Sequence, residues 1–103
     1  MIILYLTCTD KKEADAISTA LLESKLVACV KQSNVSSTYF WNKKLNQDEE
    51  ILLTMESIIE KFDDIEKVVN KLHSYDQHVL TAIQAIKTSP GVEAWLKESL
   101  EIT

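Results

Sequence analysis

Residues 35–56 read VSSTYFWNKKLNQDEEILLTME, and this stretch decides the fold. Its first part alternates between two faces, one of which carries Val35, Ser37, Tyr39 and Trp41. Asn42-Lys43-Lys44 has the polar character of a turn, and residues 51–56 form a second strand-like run. Two such strands with a short connection between them predict a long antiparallel hairpin.

A strand, a helix and the start of another strand are predicted ahead of this hairpin. Residues 2–8 (IILYLTC) are a short and nearly continuous apolar run, which is typical of a central strand buried on both faces. Asp10, followed three residues later by Glu13, predicts a capped helix start. Apolar residues then recur at helical spacing up to Lys25, and residues 27–30 (VACV) return to a strand.

Behind the hairpin the pattern predicts a helix, a strand and a final helix. Ser57 and Glu60 indicate a second capping box. The apolar residues that follow alternate between steps of four and three residues, and they are Ile58, Phe62, Ile65, Val69 and Leu72. Residues 79–86 predict a strand. Ser89 and Pro90 predict the cap and first position of the last helix, whose apolar side is formed by Val92, Trp95, Leu96 and Leu100.

The order strand, helix, strand, strand, helix, strand is that of an α+β, ferredoxin-like βαββαβ sandwich, here with an additional C-terminal helix. Right-handed crossovers place both long helices on one face of an antiparallel sheet. A length of 103 residues leaves room for one hydrophobic core, so we expect a single domain over residues 1–103.

Composition excludes several classes of protein. All eleven basic residues are lysines, and there is one glycine, so neither a P-loop nor a dinucleotide-binding fingerprint can be formed. A net charge of −5 without a basic cluster argues against binding to nucleic acid or to an anionic membrane surface. The apolar runs are too short to span a membrane, and the first residues lack the basic segment of a signal peptide. We expect a cytoplasmic protein whose two cysteines are free thiols.

Few side chains are candidates for chemistry. Cys8 and Cys29 lie in apolar runs, where a thiol is more often a small core residue than a ligand. His73 follows the second long helix, where its ring would stabilise the helix C-terminus. The acidic triplet 48–50 is expected to be solvated. No combination of Ser, His and Asp or of paired carboxylates indicates catalysis, so we expect no enzyme.

Six motifs in order resemble those of the CutA divalent-cation-tolerance proteins. They are Thr7-Cys8-Thr9-Asp10, Leu26-Val27-Ala28-Cys29-Val30, Ser37-Thr38-Tyr39-Phe40-Trp41, Asp48-Glu49-Glu50, His73-Ser74-Tyr75-Asp76 and the closing stretch from Pro90 to Trp95-Leu96. The chain departs from the family pattern after His73, since both prolines of that stretch are absent and Val79 replaces a glutamate. The resemblance implies a ferredoxin-like subunit, a tight homotrimer, a cytoplasmic location and a loose association with copper or other divalent metals.

The leading hypothesis is therefore a non-enzymatic homotrimer linked to divalent metal tolerance. A small-molecule signalling module like the PII trimers is the alternative, and it ranks lower because such modules hold nucleotide phosphates with basic residues. An acylphosphatase-type enzyme would need an arginine cradle that this chain lacks.

Imidazole and thiolate suit late divalent ions and Cu(I), so a weak metal site is predicted at a subunit boundary. Its first candidates are His73 and Cys29, and Cys8 and Asp76 follow them. A chain this short has little to cover the aromatic hairpin end, so an oligomer contact and a ligand-stacking site are equally expected there. A subunit contact is predicted at Tyr39, Trp41 and Tyr75.

Overall fold

The computed structural model describes residues 1–102, so that Thr103, the last residue of the expected domain, lies outside it. The strands are β1 (Ile2–Cys8), β2 (Cys29–Trp41), β3 (Lys44–Ser57) and β4 (Leu80–Gln84). The helices are α1 (Lys11–Glu23), α2 (Phe62–Leu72) and α3 (Val92–Ser99). All four strands pair antiparallel in the order β2-β3-β1-β4. The predicted α+β, ferredoxin-like arrangement with an extra C-terminal helix is confirmed.

The β2–β3 hairpin is longer than the sequence pattern predicted. Its strands pair from Cys29 opposite Glu56 to Trp41 opposite Lys44. The predicted turn is confirmed, and both Asn42 (φ 52°) and its neighbour Lys43 (φ 62°) take the left-handed conformation of a tight hairpin turn. The polar residues on both sides of the turn also belong to the strands. Hydrogen bonds between strands join backbone groups, so they form whether the side chains are polar or apolar.

The core lies between one face of the sheet and the two long helices. It contains Leu4, Leu6, Leu53 and Met55 from the sheet and Ile17, Leu21, Ile65 and Val69 from the helices. The prediction that β1 is buried on both faces is wrong for the single subunit, because Tyr5, on the face away from the helices, keeps 36% of its surface exposed. Helices cover only one side of this sheet.

The sheet face away from the helices is called the open face below. Strand alternation and the observed pairing assign to it Tyr5, Cys29, Tyr39, Trp41, Glu50 and Ile83. Several of these are large apolar side chains with exposed surface, of which Trp41 is the most exposed at 65%. The buried core with α1 and α2 lies on the other face of the sheet.

Two predicted helix starts are wrong. Ser57 does not cap α2, since its hydroxyl donates to the Leu26 carbonyl oxygen at 2.6 Å and a 3₁₀ turn over Ile59–Lys61 precedes the helix. Pro90 is not the first residue of α3, because the helix begins at Val92 and Gly91, in the left-handed conformation (φ 88°), occupies its N-cap position. By contrast, the Asp10 side chain accepts from the Glu13 backbone N–H at 2.9 Å, so this predicted cap is confirmed.

Candidate functional site

Two groups of functional side chains lie at the same end of the sheet, on opposite sides of it. The first is a buried cluster of Cys8, Glu13 and His73, whose ligand-type atoms all lie within 4.8 Å of one another. The second is an open pocket at the edge of the open face. The loop 73–79 joins them, because His73 belongs to the cluster while Tyr75 and Asp76 line the pocket.

Both ring nitrogens of His73 are hydrogen-bonded. Nε2 lies 2.8 Å from the Thr7 carbonyl oxygen, and Nδ1 lies 3.1 Å from the backbone nitrogen of Tyr75. A carbonyl only accepts and an N–H only donates, so these partners assign the ring proton to Nε2 and make Nδ1 the acceptor. The side chain has 0% exposed surface. The ring is therefore enclosed within the subunit.

Glu13 is the member of the cluster that sequence reasoning assigned only to helix capping. Its Oε2 accepts from the Thr9 backbone N–H at 2.8 Å, and its Oε1 accepts from the Ser74 N–H at 2.6 Å. Burial acts to raise the pKa of this carboxyl, but these hydrogen bonds outweigh it and lower the pKa below its usual range. The carboxylate thus joins the start of α1 to the loop after α2.

Cys8 completes the cluster as a thiol. Burial, followed by the charges of Glu13, Asp10 and Glu50, raises its pKa to about 12. A metal ion binds cysteine as the thiolate, while the histidine nitrogens and the Glu13 oxygens already have partners. In the arrangement that the structure shows, the hydrogen bonds of the cluster hold β1, α1 and the loop together, and a metal ion would have to displace them. The role of His73 and Cys8 as metal ligands stays a prediction.

Cys29 lies far from this cluster within the subunit. It pairs with Glu56 across the hairpin, whereas Cys8 pairs with Ile51 of the same strand β3. The sulfur of Cys29 is 3.8 Å from the Lys31 ammonium, which also forms a 2.9 Å ion pair with Glu56. The chain itself therefore brings Cys8, and not Cys29, to His73. A site that combines Cys29 with another predicted ligand requires a second subunit.

The pocket on the open side has a volume of about 820 Å³. Its charged lining consists of acidic residues, Asp48, Glu49, Glu50 and Asp76, and no lysine lines it. The Glu49 carboxylate accepts from the Ser36 hydroxyl on the opposite face of the hairpin, so three carboxylates lie on the pocket side. Three aromatic residues share the pocket, namely Tyr39, Trp41 and Tyr75. Val79, which stands where the resemblance implied a glutamate, lies at its rim with 70% of its surface exposed. This composition favours a cation over an anion.

Two phenol–carboxylate hydrogen bonds organise the pocket wall. The Tyr75 hydroxyl donates to Glu50, and the Tyr39 hydroxyl donates to Asp48. Burial and the contact with Glu50 raise the pKa of Tyr75 to about 12, and the hydrogen bond to Asp48 raises the pKa of Tyr39. Both phenols therefore remain protonated donors that fix the orientation of a carboxylate.

The burial of Glu50 corrects the expectation that the acidic triplet is simply solvated. Only 8% of Glu50 is exposed, while Asp48 and Glu49 are exposed as predicted. The signal in the sequence is the spacing of two between Asp48 and Glu50, which places both carboxylates on one face of a strand. Tyr75, 25 residues further on, is the partner that only the folded loop supplies.

The predicted site residues thus fall into three places. His73 and Cys8 lie in the buried cluster, Cys29 lies at the far end of the open face, and Asp76 is exposed in the pocket. Tyr39, Trp41 and Tyr75 line the pocket and keep exposed surface, and their role in subunit contacts stays a prediction.

Known proteins resemble this chain over nearly its whole length. The family model of the CutA1 divalent ion tolerance protein matches residues 2–99. A divalent-cation tolerance protein CutA from Archaeoglobus fulgidus is 30% identical over 98 residues, covering 95% of this chain and 96% of that protein. The corresponding protein of Thermotoga maritima is 28% identical and covers 97% of this chain and 99% of its own length.

Solved structures agree with this likeness. The structure titled as the periplasmic divalent cation tolerance protein CutA from Archaeoglobus fulgidus matches with a TM-score of 0.92 at 29% identity, over 97% of this chain and 99% of that one. CutA1 from the psychrotrophic bacterium Shewanella sp. SIB1 matches with a TM-score of 0.90 at 29% identity, over 95% of this chain and 92% of that one.

Proposed function

Because this chain belongs to the CutA1 divalent ion tolerance protein family, we propose that it acts in divalent metal tolerance as a non-enzymatic homotrimer. In this proposal, copper or another divalent ion binds weakly at the boundaries between subunits. The observation that carries the proposal is the acidic pocket without a lysine, placed at the edge of the open face, with the carboxylates of Asp48, Glu50 and Asp76 on its side.

The open face supports the assembly. Tyr5, Ile83, Tyr39 and Trp41 present large apolar surfaces there, and an exposed apolar face of this kind is typical of a protein–protein contact. The strands β2 and β4 are both edge strands with unpaired backbone groups. A closed ring of three subunits covers both features without growing into a fibre.

The pocket supports the binding of a cation. Its carboxylates are oxygen donors for a divalent ion, with Asp76 as the exposed ligand and Glu50 as the buried one. One chain provides no thiolate or free imidazole in this pocket, so we expect modest affinity. Cys29 lies on the same open face at the other end of the strands. In our proposal it therefore contributes only to the pocket of a neighbouring subunit, across the boundary between the two.

The same features weigh against the PII-like alternative. Nucleotide phosphates need positive charge, and none of the residues that line the pocket is basic. The hairpin closes through a tight turn at Asn42 and Lys43, which leaves no long mobile loop between β2 and β3.

Parallel calorimetric titrations of the oligomer with Cu²⁺, Zn²⁺ and ATP test the proposal. We expect heat of binding with at least one metal, none with ATP, and weaker metal binding in Glu50→Gln and Asp76→Asn. Asp63→Asn on the exposed side of α2 is the matched control and is expected to bind metal as the parent does. Binding of ATP without metal, or unchanged metal affinity in both pocket variants, would contradict the proposal.

We also propose a cytoplasmic location. The two free cysteines lie at opposite ends of the sheet, where no disulfide can form between them, and free thiols persist in a reducing compartment. Among residues 1–102, none of the helices has the length and apolar character to cross a bilayer. Cell fractionation with an antibody against the chain tests the location.

A further inference from the structure

We propose that the turn end of the β2–β3 hairpin docks on helix α3 of a second copy of this chain. The turn end comprises residues 40–45, which read FWNKKL. The inference rests on the homotrimer of the proposed function, and it assigns a contact that lies outside the open face.

The hairpin projects beyond the rest of the sheet. β1 pairs with β3 only over residues 51–57, so residues 44–50 of β3 pair with β2 alone. A two-stranded ribbon by itself is only marginally stable in water. The projecting part therefore needs further contacts, above all at the turn end, which is the part farthest from β1.

Apolar side chains lie on both faces of the turn end. Phe40 and Leu45 pair across the hairpin and point away from the open face, which carries Trp41. The exposed fractions are 76% for Phe40 and 66% for Leu45. A contact on the open face covers Trp41 but leaves the other two side chains in water. The second face of the turn end therefore needs a contact of its own.

Charge identifies the partner as a second copy of this chain. Lys43 and Lys44 are the only charged residues between Gln32 and Gln47. Since the whole chain has a net charge of −5 with these two lysines included, its remaining residues carry −7. The basic turn end is therefore attracted to the acidic surface of another copy.

Helix α3 offers apolar surface and negative charge side by side. Trp95 keeps 40% of its surface exposed, and aromatic residues are enriched in contacts between proteins. Glu98 is also exposed and follows three residues later, so it lies beside Trp95 on the helix surface. In the docked pair, Phe40 and Leu45 cover the Trp95 ring of the second copy, and the turn lysines reach its Glu98.

The two surfaces lie at opposite ends of the subunit. The turn lies beyond the Cys8 end of β1, whereas the amino group of Met1, at the other end, is 3.8 Å from Glu93 of α3. The Cα atoms of the subunit extend over 49 Å, so the turn end does not reach the α3 of its own chain. The contact therefore joins two copies head to tail, which is the type of contact that builds a closed ring.

The first test is cross-linking with a carbodiimide, which joins a lysine to a carboxylate that touches it. The native trimer is cross-linked, and the linked peptides of the covalent dimers and trimers are identified by mass spectrometry. We expect Lys43 or Lys44 to be linked to Glu98. Links from these lysines only to acids outside α3, such as Glu60 beside the exposed Ile59, would overturn the proposal, and so would the absence of any link.

The second test reverses the charges and follows subunit exchange with an isotope-labelled copy by native mass spectrometry. Lys44→Glu and Glu98→Lys each place like charges opposite one another, so we expect exchange to become at least about threefold faster. The double variant restores opposite charges and is expected to exchange as slowly as the parent. Asp63→Lys on the exposed side of α2 is the matched control. Exchange at the parent rate in both single variants, or a double variant no slower than the singles, refutes the pairing.

The outcomes separate this inference from the proposed function. A parent protein with the mass of a single chain would contradict both. A trimer whose turn lysines do not link to Glu98 would contradict the docking alone. A failure to bind metal would contradict the proposed function and leave the cross-linking result unaffected.

Discussion

The Nε2 of His73 donates to the carbonyl oxygen of Thr7 across 2.8 Å, which ties the loop after α2 to the end of β1. On the other side of the ring, Nδ1 accepts from the backbone of Tyr75, the residue whose hydroxyl holds Glu50. The buried imidazole therefore fixes the loop that lines the pocket. Its contribution is to stability and to the shape of the pocket.

Replacement of His73 by alanine is expected to lower the free energy of unfolding by about 3 kcal/mol. The change leaves a cavity and removes the partners of the Thr7 carbonyl and the Tyr75 N–H, both of which are costly inside a protein. Urea unfolding at equal protein concentration measures it, with the exposed Lys71→Ala on α2 as control. A loss of less than about 1 kcal/mol would show that the ring is dispensable.

Stability is expected to fall as the pH rises from about 9 to 12. The Cys8 thiol ionises near its ordinary pKa of 9.0 in the unfolded chain but only at about 12 when folded, so that the folded state binds more protons in this window. Stability therefore decreases with rising pH. Tyr75 acts in the same direction, with its pKa raised from 10.0 to about 12.

Urea midpoints measured across this pH range in the parent and in Cys8→Ala test the assignment. The variant is expected to lose the decline that begins near pH 9 and to keep the later one due to Tyr75. If the two proteins decline in parallel from pH 9 upward, Cys8 is not the group responsible.

Lys43→Gly is expected to stabilise the protein by about 0.5–1 kcal/mol. Lys43 has a φ of 62°, a conformation that glycine adopts without steric cost, and Asn followed by Gly is the preferred pair for this hairpin turn. Thermal unfolding measures the effect, and Lys44→Gly, one residue later in strand β3, is expected to destabilise. A destabilised Lys43→Gly would contradict the turn geometry.

Local patterns in the sequence predicted the elements, but not their full packing. The hairpin and the helix cap at Asp10 are formed by residues close to one another along the chain. The residue types of those short stretches were therefore sufficient to predict both. The failed cap at Ser57 had the same local signal, but its hydroxyl finds a better acceptor in the Leu26 carbonyl, 31 residues away. Tertiary contacts of this kind override a local motif.

The candidate site was harder to predict for the same reason. Cys8, Glu13 and His73 meet only because α1 and the loop after α2 pack at the end of β1, and no local pattern in the sequence places Cys8 beside His73. The site that combines His73 with Cys29 across a subunit boundary stays a prediction. Glu50 looked like part of a solvated triplet, and its burial depends on Tyr75 in the folded loop. The exposure of the aromatic residues at the hairpin end, by contrast, was predicted because a chain this short has little to cover them.

Light scattering of the purified protein at micromolar concentration tests the central claim, that three subunits meet on the open face beside the acidic pocket. The account predicts a mass three times the 11.7 kDa of the chain. It also predicts that Trp41→Ala, which removes an exposed aromatic ring from that face, shifts the protein toward smaller species. A parent protein with the mass of a single chain, 11.7 kDa, would contradict it.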